Sequence, residues 1–69
     1  MPIAHIHILE GRTLAQKRKL AASVTEAISE SIGAPLGRVR VIIHEVSKEH
    51  WVVGGVPMSE AEDNGQEPL

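Results

Sequence analysis

The chain has 69 residues, enough for one domain, and its hydrophobic 42% includes a single Trp and neither Phe nor Tyr. With no cysteine, neither a disulfide nor a thiolate metal site can reinforce so small a core, so burial is expected to be completed by association with other chains. A net charge of −2 argues against a general nucleic-acid binder, and no apolar run approaches the length of a membrane span. The opening Met1-Pro2-Ile3-Ala4-His5 lacks the charged start and apolar stretch of a secretory leader, so the expected location is the cytoplasm.

Residues 3–9 alternate as a strand, with Ala4, Ile6 and Ile8 on one face and Ile3, His5, His7 and Leu9 on the other. Gly11 breaks that pattern. Thr13 and Gln16 then form a capping box, which predicts a helix running to about Ile32. Its apolar stripe is Leu20, Val24, Ala27, Ile28 and Ile32, with Ala21 beside it. Gly33 and Pro35 stop the helix. Lys17, Arg18 and Lys19 crowd the positive end of the helix dipole; they read first as a solvated face, and any compensation must come from neighbouring acids, a partner subunit or an anionic ligand.

Residues 39–46, Val-Arg-Val-Ile-Ile-His-Glu-Val, read as a second strand that is apolar on both faces and therefore needs cover on both. A strand, one long helix and a second strand predict a β-α-β unit with parallel strands and a right-handed crossover. One helix covers only one face of that sheet, which again calls for a partner. Trp51-Val52-Val53-Gly54-Gly55-Val56 fits a short hairpin before Pro57. The expected organisation is one α+β domain over residues 1–58, followed by an acidic tail over 59–69. That tail holds Glu60, Glu62, Asp63 and Glu67 with no base, and disorder is expected there.

Three groups of residues compete as the carriers of chemistry. His5, His7 and His44 offer three imidazoles on neighbouring strands, but no acid stands at a telling spacing and no metal is expected. The serines and threonines have no elbow or triad context. Pro2 remains. Small second residues favour removal of the initiator Met, and the proline exposed is then a secondary amine anchored by the strand that follows. An α-amino group titrates near 7.7–8.0, and an apolar pocket or nearby guanidiniums would lower that value towards a usable general base.

Residues 2–12 (Pro-Ile-Ala-His-Ile-His-Ile-Leu-Glu-Gly-Arg), 34–43 (Ala-Pro-Leu-Gly-Arg-Val-Arg-Val-Ile-Ile) and 50–55 (His-Trp-Val-Val-Gly-Gly) resemble, in register, the 4-oxalocrotonate tautomerase family. The resemblance covers residues 2 to about 56. It implies a β-α-β subunit with a short C-terminal hairpin, dimers sharing a four-stranded sheet, and a homohexamer that is a trimer of dimers. It also implies a cofactor-free isomerase that shifts a proton on an enol or dienol dicarboxylate such as 2-hydroxymuconate. Pro2 would be the base. Arg12 would hold the distal carboxylate, and Arg40 the carboxylate and oxygen at the reacting end, each from a different subunit than its Pro2. Leu9 and Trp51 would wall the substrate.

Elementary chemistry fits these roles, since a dicarboxylate needs a cation at each end and a planar guanidinium grips a carboxylate with two hydrogen bonds. Trp51 departs from the Phe of well-known members, which puts substrate size in question. Dehalogenases of the same superfamily use an extra arginine and a water-activating carboxylate. Leu9 and Val53 occupy those positions here, so dehalogenation is not expected as a main activity. Two other readings stay open: a homologue acting on a different enol or α,β-unsaturated acid, for example in natural-product biosynthesis, and a non-catalytic oligomeric binding protein of the same fold.

Overall fold

A computed structural model of the chain describes residues 1–63, with side chains to residue 61. Strand β1 (Ile3–Leu9) leads into helix α1 (Leu14–Ile32), a 3₁₀ turn (Leu36–Arg38) and strand β2 (Arg40–Val46). Two short strands, β3 (Val52–Val53) and β4 (Val56–Pro57), and a short helix, α2 (Met58–Asp63), complete the order.

The predicted β-α-β core and hairpin are present. Thr13 caps α1 as expected: its hydroxyl accepts from the Gln16 N–H at 3.1 Å, and the Gln16 side chain accepts from the Thr13 N–H at 2.9 Å. Gly33 ends α1 in the left-handed region at φ 71°, where a side chain would be strained, and its N–H reaches the Ser29 carbonyl. Gly54 and Gly55 both take positive φ (61° and 84°), the conformation that lets two residues join β3 to β4.

β1 and β2 pair in parallel, from Ile3 opposite Arg40 to Leu9 opposite Val46. Paired residues share a face, so Ala4, Ile6, Ile8, Val41, Ile43 and Glu45 lie on one side. Ile3, His5, His7, Leu9, Arg40, Ile42, His44 and Val46 lie on the other. α1 covers the first side. From it Lys17 forms an ion pair with Glu45, so a neighbouring acid relieves one of the three cations at the helix start.

The helix stripe is only partly used. Leu20, Ala21, Val24 and Ile28 are half-buried, but Ala27 is exposed and Ile32 is 66% exposed. A two-stranded sheet is narrower than the stripe, so its margin has nothing beneath it. Among the described residues only Val39, Met58 and Ala61 are buried hydrophobics, and none of these is on α1. Most of the apolar surface of the subunit is thus incompletely covered by the subunit itself.

The C-terminal segment departs from the expectation of disorder beginning at Ser59. Met58–Asp63 is helical, with the Met58 N–H bonded to the Trp51 carbonyl at 2.8 Å and the Ser59 N–H to the Lys48 carbonyl at 3.2 Å. Met58 and Ala61 bury one side of this turn, which outweighs its polar composition. Residues 64–69 of the expected tail lie outside the described residues. No helix among the described residues is long and apolar enough to cross a membrane.

Candidate active site

The two ends of the β1–β2 pair carry different chemistry. At the end where both strands begin, the Pro2 carbonyl accepts the Arg40 N–H at 3.0 Å, which fixes Pro2 beside the start of β2. Pro2 is half-buried and borders an open apolar groove of about 410 Å³ with Ile3, Val24, Ala27, Ile28, Ser31 and Ile32. Met1 is 77% exposed, so the bond that must be cut to free the Pro2 amine is accessible. The Arg40 guanidinium donates from Nη1 to the Gly37 carbonyl at 2.9 Å.

At the end where both strands finish, Leu9, Arg12 and Trp51 come together with His7 and Ile8 around a cleft of about 160 Å³. Arg12 also borders an adjoining hollow of about 240 Å³ with Ile8, Gln16, Lys17 and Leu20. The Glu10 N–H bonded to the Val46 carbonyl at 3.0 Å, together with the Thr13 cap, positions the loop that carries Arg12. Neither Arg12 nor Arg40 pairs with a carboxylate among the described residues. Both guanidiniums are left without an internal anion, as anion-binding groups require.

Parallel pairing explains this division. It places the two strand starts, and so Pro2 and Arg40, at one end, and Leu9 with the segment leading to Trp51 at the other. Six strand steps of about 3.3 Å each separate the ends by roughly 20 Å. A small molecule held at Pro2 is therefore out of reach of Arg12 in the same chain. The five residues singled out from sequence fall into two half-sites: Pro2 with Arg40, and Leu9, Arg12 and Trp51.

Sequence reasoning missed several wall residues. His7 lines the Arg12 cleft, and its place beside Leu9 on the alternating strand face was the available signal. Val24, Ile28 and Ile32, read only as core, line the groove at Pro2. The histidines His5, His7 and His44 do share a face, but their rings stack, and no group of three His, Asp or Glu among the described residues is arranged to hold a metal ion.

The family model described as tautomerase enzyme matches residues 2–61. The chain belongs to the tautomerase family. It is 54% identical over 59 residues to a 2-hydroxymuconate tautomerase of Pseudomonas putida, covering 86% of this chain and 94% of that one. Among solved structures, the heterohexamer 4-oxalocrotonate tautomerase of Chloroflexus aurantiacus J-10-fl superposes with a TM-score of 0.84 at 43% identity. That match covers 87% of this tautomerase and 97% of the other chain. TomN, a 4-oxalocrotonate tautomerase homologue of the tomaymycin biosynthetic pathway, superposes with a TM-score of 0.88 at 35% identity, covering 90% and 95%. The β-α-β subunit with its hairpin is thus the tautomerase fold, and the chain is an isomerase of that family.

Proposed function

We propose that this tautomerase shifts a proton on an enol or dienol dicarboxylate such as 2-hydroxymuconate, in the cytoplasm, with the Pro2 amine as general base after removal of Met1. The observation that carries this reading is the separation of Pro2 from Leu9, Arg12 and Trp51 at opposite ends of one parallel strand pair. The free edge of β1 allows a second copy to pair with it antiparallel, and a two-fold of that kind sets the Leu9–Arg12–Trp51 end of one copy beside Pro2 of the other. Each dimer then brings two Pro2–Arg12 pairs together.

The neutral amine takes the enol hydroxyl proton and becomes a charged ammonium. Electron density moves along the conjugated system, and the same proton returns to the carbon at its far end, giving a ketone. Arg40 holds the carboxylate and the oxygen at the reacting end, where negative charge develops. Arg12 holds the distal carboxylate, and Leu9 and Trp51 exclude water beside it. The exposed apolar surface supports further association to a homohexamer of three dimers, with Arg40 supplied by a different subunit than its Pro2.

Steady-state turnover of 2-hydroxymuconate tests the base. Protein lacking Met1 by intact mass should be active, and Pro2→Ala should lower kcat by about 10²–10⁴-fold, the usual contribution of a positioned base. Full activity in Pro2→Ala, or in protein that retains Met1, contradicts the assignment.

A second reading has its own support. Trp51 is bulkier than Phe, and the TomN relative belongs to a biosynthetic pathway. This reading keeps Pro2 as base but gives the site a different enol or α,β-unsaturated acid. Poor turnover of 2-hydroxymuconate with efficient turnover of another acid in a panel of dienols would select it.

A further inference from the structure

The face of the sheet opposite α1 carries three imidazoles that no step of the tautomerisation uses. The His5 Nδ1 and His44 Nε2 lie 2.9 Å apart, a hydrogen bond between ring nitrogens across the two strands. The ring centroids of that pair are 5.2 Å apart with 15° between their planes, and His7 stacks on His44 at 4.5 Å and 12°. Register places His7 opposite His44 and His5 opposite Ile42, so the bridge runs diagonally along the face.

A hydrogen bond between two imidazole nitrogens requires one donor and one acceptor, so one ring must present an unprotonated nitrogen. A second proton on the pair destroys the acceptor and sets two cations in contact, with a third imidazole stacked on one of them. Nothing close by compensates. Arg40 shares the face, and Arg12 borders the cleft that His7 lines, so the nearby fixed charges are positive. Of the nearby acids, Glu45 faces the other side of the sheet in its pair with Lys17, and Glu10 lies beyond the end of β1. His50 sits in the turn after β2.

The same face exposes Ile3 (56%) and Ile42 (41%), which flank the histidine bridge. Resting on the homo-oligomer reading above, the occupant of this face is another copy of the chain, as two-sided apolar strands require cover on both sides. We propose that the His5–His7–His44 array is a proton switch on assembly, holding this face in its associating form at neutral pH and releasing it in mild acid. The sign follows from the bridge. Closing the face shuts solvent away from the array, so two cations in contact cost more there than in the open chain. The associated state then holds fewer protons, and association strengthens as pH rises and is lost on acidification.

The test is sedimentation velocity of the full chain from pH 8 to pH 5, comparing wild type with the double variant His5→Gln, His44→Gln. The two amides can form the same donor–acceptor bridge without titrating. The wild type should be oligomeric at pH 8 and dissociate on acidification, and the variant midpoint should lie lower by about one pH unit or more. Equal midpoints in the two proteins overturn the proposal while leaving the oligomer reading intact. A wild-type monomer at pH 8 overturns the oligomer reading and the switch with it. If the double variant does not fold, ¹⁵N imidazole titration of the wild type decides instead. Uptake of the second proton by the His5–His44 pair should coincide with loss of the oligomer, and full protonation of both rings in an intact oligomer overturns the proposal.

Discussion

The two ends of the β1–β2 pair contrast in what they can do alone. The starting end holds a proline beside a broad apolar groove, which suits moving a proton on a flat, conjugated molecule. The finishing end holds a loop arginine, a tryptophan and a small cleft, which suits gripping a carboxylate. Neither is a complete site. On the proposed reading one supplies the base without the distal anchor, and the other the anchor without a base. Parallel pairing keeps them apart in one chain, and it is also what lets a two-fold axis bring them together between chains.

Substitutions at each end should separate these roles. Arg40→Ala should have the larger effect, lowering kcat/KM by about 10²–10³-fold through kcat, as for loss of a donor to a developing oxyanion. Arg12→Ala should act chiefly on KM, raising it about 10- to 100-fold, the worth of charge-assisted bonds of roughly 1.5–3 kcal/mol. Equal kcat and KM effects for the two arginines would erase the proposed distinction. Trp51→Phe should change the ranking of dienol substrates in a steady-state panel while leaving 2-hydroxymuconate kcat within roughly tenfold, since one aromatic wall replaces another.

Smaller effects should track the supports of the Arg12 loop. Thr13→Ala removes the cap just after Arg12 and should cost about 1 kcal/mol of stability by denaturant unfolding, with a raised KM. Glu45→Gln breaks the ion pair with Lys17. Because those side chains are 28% and 38% exposed, the expected loss is below about 1 kcal/mol and is screened by salt.

Local structure was legible in the sequence wherever it rests on local chemistry. Thr13 with Gln16, Gly33 before Pro35, and the Gly54-Gly55 pair each announced a cap, a stop or a turn that the structure contains. Strand alternation gave both faces of β1. What escaped depended on partners remote in sequence. Helix α2 is short and polar, and only the spacing of Met58 and Ala61 hinted at a buried side. The exposure of Ala27 and Ile32 follows from the width of a two-stranded sheet, which the helix pattern does not contain. His5 and His44 were noticed as neighbours on adjoining strands, but their bridge depends on a register that residue types do not reveal.

The candidate site was legible to a similar depth. Pro2 was noticed as a candidate amine on chemical grounds, whereas Arg12, Arg40, Leu9 and Trp51 gained roles through the family resemblance. The resemblance also implied that the arginines come from other subunits. The parallel register supplies a physical reason for that arrangement at Arg12, whose loop follows the strand end opposite Pro2.

Mixing two impaired variants tests the interchain site most directly. Pro2→Ala and Arg12→Ala chains are combined, dissociated and reassembled before assay with 2-hydroxymuconate well below the wild-type KM, where each variant alone turns over little substrate. If Pro2 and Arg12 of one site come from different chains, random reassembly restores activity to about a quarter of the wild-type value. If no activity returns although the chains demonstrably coassemble, both residues of each site lie in one chain, and the interchain site is wrong.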